Sequence, residues 1–129
     1  LLRVEPDDAL ALNNLAWIYA EQKDSRAVET AQRAARQLPG RADVLDTLAF
    51  AQLQAGEPAA AVRTLVDAMK AGTDEPILRY RLAVAYEASR QPKKAAEALR
   101  ALLEGPHQFP QRADAERMLS RLQGEGNSQ

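Results

Sequence analysis

Apolar positions along this chain repeat at two distances at once. Within short windows they fall at i, i+3, i+4 and i+7, the spacing of one face of a helix, and Leu12, Leu15, Ala16 and Tyr19 show it most plainly. Over a longer distance the whole pattern recurs. Ala27, Ala61 and Ala95 stand 34 residues apart, and the columns Ala31/Leu65/Leu99 and Ala34/Ala68/Leu102 keep the same step. The three columns lie at i, i+4 and i+7 of one another, so they form a single helical face. A second set lies upstream of each: Leu15-Ala16, Leu48-Ala49 and Leu82-Ala83, at steps of 33 and then 34, with the lost residue in the turn near Lys23. Two helical faces per period predict stacked helix pairs, a first helix A and a second helix B in every unit.

The turn residues support that division. Gly56 stops a helix, and Pro58, Pro92 and Pro110 suit first-turn positions, where no N–H donor is needed. Asp7, Asp24 and Asp74 are candidate N-caps. Helices are predicted over 8–21, 25–37, 42–55, 58–71, 76–89, 92–104 and 111–123. The expected organisation is a single domain: repeats over 7–39, 40–73 and 74–105, a polar-faced capping helix over 110–123 and a frayed tail over 124–129. Pro6 precedes Leu15 by nine residues, as Pro39 precedes Leu48, so LLRVEP at 1–6 reads as the end of a preceding B helix. The chain is thus expected to be the C-terminal part of a longer array. Alanine at the closest crossings lets A and B approach, while Leu15, Tyr19, Leu48, Leu82 and Tyr86 fill the gaps between them.

Composition narrows the function more than the fold. The apolar fraction is mostly alanine and leucine, side chains that lose little rotamer freedom in a helix, so an all-helical chain is expected. Acids and bases are interspersed and nearly balanced, at a formal charge of −1, which leaves no footprint for nucleic acid or for an anionic membrane. No apolar run approaches the ~20 residues that span a bilayer, and no cysteine is present for a disulfide, a thiolate zinc site or a thiol nucleophile. The single histidine, His107, lies in the loop EGPHQFP with no second ligand at metal spacing, so neither metal nor cofactor is expected. The carboxylate pairs Asp7/Asp8, Asp43/Asp46 and Asp74/Glu75 sit at helix starts, where the macrodipole accounts for them better than acid–base chemistry does. With no strands and no glycine-rich phosphate loop, an enzyme is not expected. A long coiled coil fails because the apolar spacing resets at every turn.

Stacked helix pairs turn their A helices toward a concave groove. On the first A helix, Asn14, Trp17 and Glu21 fall at i, i+3 and i+7 on a face apart from the buried stripe, with Asn13 beside them. The repeat register continues that face as Asp43, Asp46, Thr47, Phe50 and Gln54, then Ile77, Tyr80, Arg81, Val84 and Glu87. Amides can hold both the N–H and the C=O of an extended peptide, and Trp17, Phe50 and Tyr80 supply apolar anchors. The expected site is therefore a partner-binding groove comprising Asn13, Asn14, Trp17, Glu21, Asp46, Thr47, Phe50, Gln54, Tyr80, Arg81 and Val84. The competing reading is that Trp17 and Phe50 pack on one another between neighbouring repeats and the polar residues are merely solvated.

These positions resemble the tetratricopeptide repeat (TPR). Leu15-Ala16 with Tyr19, and Leu82-Ala83 with Tyr86, match the L-A-x-x-Y of its helix A; the alanine and leucine columns match A-x-x-x-[AL]-x-x-[AL] of its helix B; Pro39 closes the first unit. The resemblance implies a right-handed α-α superhelix, a TPR solenoid of three helix pairs plus a C-terminal capping helix, working as a non-catalytic protein-protein scaffold. Three residues depart from the pattern and are expected to weaken local packing: Gln52 in place of an aromatic residue or leucine, Arg79 in place of a large apolar one, and Thr73 in place of a second Pro39. Some TPR domains clamp a terminal carboxylate, but only Arg81 matches their set: Asn13 and Ile77 replace its lysines, and Trp17 and Thr47 its asparagines. Stretches such as LNNLAWIYAEQKDSRAVETAQRAARQLP and RYRLAVAYEASRQPKKAAEALRALL are similar to C-terminal repeats of bacterial TPR lipoproteins of PEP-CTERM/exosortase and exopolysaccharide systems. That likeness implies a periplasmic or outer-membrane location in a Gram-negative bacterium and a protein or peptide partner. Self-association into a homo-oligomer, through an end bearing Leu1, Leu2 and Val4, and a polysaccharide-contacting role are the alternatives.

Overall fold

The computed structural model describes residues 8–105 and 108–127, with side chains as far as Gly124. These residues form seven α-helices and no strand: α1 (Ala9–Glu21), α2 (Ala27–Gln37), α3 (Ala42–Gln54), α4 (Pro58–Lys70), α5 (Pro76–Ala88), α6 (Pro92–Glu104) and α7 (Arg112–Asn127). Six of them pair as α1α2, α3α4 and α5α6. Each second helix also packs on the next first helix, and α7 closes the stack against α6.

The A helices end in the same way three times. Lys23, Gly56 and Arg90 occupy one position of the repeat, and each is left-handed, with φ of 55°, 77° and 63°. The following residue turns its N–H back onto the helix: Asp24 donates to the Tyr19 carbonyl at 2.8 Å, Glu57 to Gln52 at 2.8 Å and Gln91 to Tyr86 at 2.9 Å. Such a 6→1 bond satisfies a carbonyl that the helix end would leave open. Glycine adopts this conformation freely; lysine and arginine do so at a cost. Immediately after the turn, α4 and α6 begin with Pro58 and Pro92 at their first helical positions. The first repeat is one residue short here, and α2 starts at Ala27 instead of 25. The Asp24 carboxylate fills that gap, accepting from the Arg26 N–H at 2.9 Å.

Other expected starts change. The cap of α1 is Asp8, which accepts from the Ala11 N–H at 3.1 Å; Asp7, Leu1, Leu2, Val4 and His107 lie outside the described residues. Asp74 does not cap α5, because its carboxylate is taken by the fork of Arg79, at 2.7 and 2.6 Å. Pro110 stands in a turn ahead of α7 instead of in its first helical turn. At the other end α7 runs on to Asn127, four residues beyond the expected 123. Neither Gly124 nor Gly126 stops it, since a lone glycine costs a helix only ~1 kcal/mol and no proline follows.

Alanine governs the core. Ala16, Ala49 and Ala83 of the A helices and Ala31, Ala61 and Ala95 of the B helices are all fully buried, with Leu65, Leu78 and Leu99 filling the spaces around them. On the A side, α1 packs on α3 and α3 on α5, whereas successive B helices make no comparable contact. A stack held more tightly on one side curves, so the A helices line its inner face. Three of the polar ties between units bridge residues 33 or 34 apart, close to one full repeat. Thr73 Oγ1 donates to the Gly40 carbonyl at 2.8 Å, the Gln54 amide nitrogen to the Ala20 carbonyl at 3.3 Å, and Arg121 forks onto Glu87, with Nη2 to Oε1 at 2.8 Å.

Each of the three departures from the repeat pattern makes a polar contact. Gln52 is buried, but its carbonyl oxygen accepts from Thr64 Oγ1 at 2.8 Å, so the polar group is satisfied across the helix pair. Thr73 supplies the tie to Gly40, and Arg79 the fork onto Asp74. At the C-terminal end Arg112 donates to the Leu103 and Gly105 carbonyls, at 3.1 and 3.4 Å, closing the end of α6 with a cation where the helix dipole favours one.

Two substitutions test this frame by urea unfolding. Ala61→Leu should overpack the α3–α4 crossing and cost about 1–3 kcal/mol, while Ala59→Leu on the exposed side of α4 stays within about 0.5 kcal/mol of the parent. Arg90→Gly, which relieves a left-handed arginine, should stabilise by roughly 0.5–1 kcal/mol.

Candidate partner-binding groove

On the inner face, side chains from three successive A helices meet. Trp17 of α1 and Phe50 of α3 stack with ring centroids 4.2 Å apart and planes at 23°. The guanidinium of Arg81, from α5, lies over both rings, 5.3 Å from the Phe50 centroid and 5.9 Å from that of Trp17. Its Nε donates to Asp46 Oδ1 at 2.7 Å and its Nη2 to Oδ2 at 3.3 Å. The two charged side chains are 14% and 11% exposed, so the pair is largely shielded from water. Period-34 spacing puts these residues in neighbouring rungs, and the stacked rings hold the arginine plane in place through its attraction to their π faces.

Electrostatically this floor is close to neutral. Arg81, the one residue matching a carboxylate clamp, already has its carboxylate in Asp46. Asp46 was expected to serve the start of α3, and the structure assigns that task to Asp43 alone, whose Oδ1 accepts from the Val44 N–H at 2.9 Å. No sequence signal short of the register itself marks Asp46 as the partner of a residue 35 positions away. Next to the cluster, Asn13 carries a buried Oδ1 with no hydrogen-bond partner. An acceptor in that state is costly unless something donates to it.

The remaining expected residues divide. Thr47 is corrected: at 3% exposure it does not face the groove, and its hydroxyl donates to the Asp43 carbonyl one turn back. Gln54 is partly buried and committed to the Ala20 carbonyl. Tyr80 and Val84 are half-buried against the cluster formed by α5, α6 and α7. Asn14 and Glu21 of α1 are exposed. The alternatives for the aromatic residues turn out to be compatible, because Trp17 and Phe50 pack on each other and both remain half-exposed. The fork of Arg121 onto Glu87 joins α7 to α5, and Arg26 covers the ring of Tyr19 at 4.2 Å, an additional contact that the repeat pattern did not disclose. Among the described residues no cluster of His, Cys, Asp or Glu could hold a metal ion, and no helix is long and apolar enough to cross a membrane.

Taken together, the helix pairs, the alanine crossings and the inner face of A helices define the all-α TPR superhelix. Among solved structures the chain is similar to the first TPR domain of the human RPAP3 protein, with a TM-score of 0.73 and 19% sequence identity over 97% of this chain and 100% of that one. No family model matches the sequence, and no curated protein does either.

Two measurements check the electrostatics. Arg81→Met, which leaves Asp46 shielded and alone, should destabilise by about 1–3 kcal/mol, below the ~3–5 kcal/mol of a fully buried pair, and Asp46→Leu/Arg81→Met should recover most of it. Glu87 is held below its ordinary value of 4.5, chiefly by its hydrogen bonds to Arg121 and opposed by burial. A carboxylate with a lowered folded pKa stabilises fully above the unfolded value and loses that contribution as pH falls through the folded one. The stability difference between the parent and Glu87→Gln should therefore be flat in neutral solution and shrink on acidification below 4.5.

Proposed function

We propose that the protein is a non-catalytic scaffold that holds an extended segment of a partner protein along the inner face of its A helices. The observation that carries this reading is the Trp17–Phe50–Arg81–Asp46 cluster, which spans three helices and leaves two aromatic rings partly exposed. Fixed rings offer apolar area at little entropic cost, and the exposed amide of Asn14, about one turn before Trp17, can accept a backbone N–H. Because Asp46 offsets the charge of Arg81, the groove favours an uncharged apolar segment over a terminal carboxylate. Asn13, Trp17, Phe50, Asp46 and Arg81 form the centre of the contact surface, with Asn14, Glu21, Tyr80 and Val84 at its margins.

The setting is part of the proposal. The likeness of repeat style supports a bacterial envelope or exopolysaccharide assembly system, in which the chain would serve as one section of a longer TPR lipoprotein. An exosortase or glycan-synthase gene beside the gene for this chain would favour that setting, and an unrelated neighbourhood would remove it.

Panning a library of unstructured peptides on the protein tests the groove. Selected peptides should shift the emission of Trp17, the only tryptophan, and lose about tenfold or more in affinity, ~1.4 kcal/mol, with a variant in which Asn14, Trp17 and Arg81 are all replaced by alanine. Equal binding to that variant, at unchanged helicity, would place recognition on another face.

A further inference from the structure

Three apolar side chains hold one position of the repeat on the inner face. Trp17, Phe50 and Val84 are separated by steps of 33 and 34, and each is partly exposed. The helices that carry them lie side by side, α1 on α3 and α3 on α5. Trp17 and Phe50 lean together into one flat anchor, and Val84 is the next, one helix beyond Phe50. A segment crossing these helices therefore needs contacts at the separation of packed helices, ~8–10 Å. A β-strand turns side chains to one side every second residue, about 6.6 Å, and falls out of step with that spacing. A polyproline II helix turns them every third residue, about 9.3 Å, and stays in step.

Hydrogen bonding on this face favours the same ligand. An α-helix keeps its backbone groups for itself, so the N–H groups of a bound segment have only side chains to bond. Asp46 is held by Arg81, the Thr47 hydroxyl is on the Asp43 carbonyl, the Gln54 amide is on the Ala20 carbonyl, and Asn13 Oδ1 is enclosed. Asn14, Glu21 and Tyr80 remain, at the margins. An N–H pressed against the central rings is thus left without an acceptor, which is costly. Proline has no N–H to strand, and its preset backbone loses little freedom on docking. It also brings no charge, and the floor, where Asp46 offsets Arg81, asks for none. On the groove reading above, we propose that the partner segment is proline-rich: a polyproline II helix spaced Pro-x-x-Pro, crossing the A helices with one proline on the Trp17–Phe50 pair and the next against Val84.

Two blocked nonapeptides test this on the full chain. One has proline at every third position with small uncharged residues between, and the other has alanine for each proline. The first should shift the emission of Trp17 and bind about tenfold or more tighter than the second. Val84→Thr, which exchanges a methyl group for a hydroxyl on a half-buried side chain, should weaken it about fourfold at unchanged helicity. Trp17→Leu, read by calorimetry, should weaken it at least as much. Equal affinity for the two peptides overturns the proline assignment. So does a set of peptides, panned on the protein and dependent on Trp17, that carries no excess of proline; the groove then stands without this inference. Indifference to Val84→Thr overturns the crossing register. If no peptide of any kind disturbs Trp17, the groove and the proline assignment fall together.

Discussion

Close approach of helices at alanine is the constraint on which the rest of this molecule depends. A methyl group is the largest side chain that lets an A helix and a B helix come together at Ala61 or Ala95 without forcing rotamers out of their wells. The same crossing recurs in each of the three units, and neighbouring A helices pack on one another while B helices do not. The curvature of the stack, and with it the inner face, follows from that inequality. The aromatic residues and the Arg81–Asp46 pair meet because three A helices have been brought side by side.

Polar residues in this frame act as ties within and between units. Gln52 and Thr64 bond within a pair, Thr73 reaches back to the preceding turn, and Arg121 joins the last helix to α5. Each bond has modest net value, roughly 1 kcal/mol, but leaving a group such as the Gln52 amide unpaired would cost more than that. This explains how the second and third units depart from the repeat pattern without loss of order. A hydrophobic residue at those places would pack; a polar one with a partner also restrains its neighbour. Along most of the stack, therefore, specific bonds fix how one unit sits on the next.

The groove was partly readable before folding. Trp17, Phe50 and Arg81 stand on one face by spacing alone, and their register predicts neighbouring rungs. Their contacts were not readable in that way. Whether two aromatic rings on adjacent helices stack or part depends on a few tenths of a turn of helix rotation, which no spacing rule resolves. The polar positions suffered more: Thr47 turned inward to bond its own helix, and Gln54 went to the Ala20 carbonyl. A short polar side chain on a helix has a backbone carbonyl within reach, and only the packing around it decides between that carbonyl and the solvent.

Sequence by itself determined the helix pairs, their order and the columns that bury, because helical periodicity and turn residues are local properties. It also determined where the helices end, to within a few residues, since Gly56, Pro58 and Pro92 act on their own backbone. Tertiary structure decided the rest. It chose Arg81 as the partner of Asp46 and made Lys23 and Arg90 adopt the conformation that Gly56 adopts freely. Each of these depends on which surfaces meet across a distance of about one repeat, and the energy of such a meeting is absent from any window short enough to show a period.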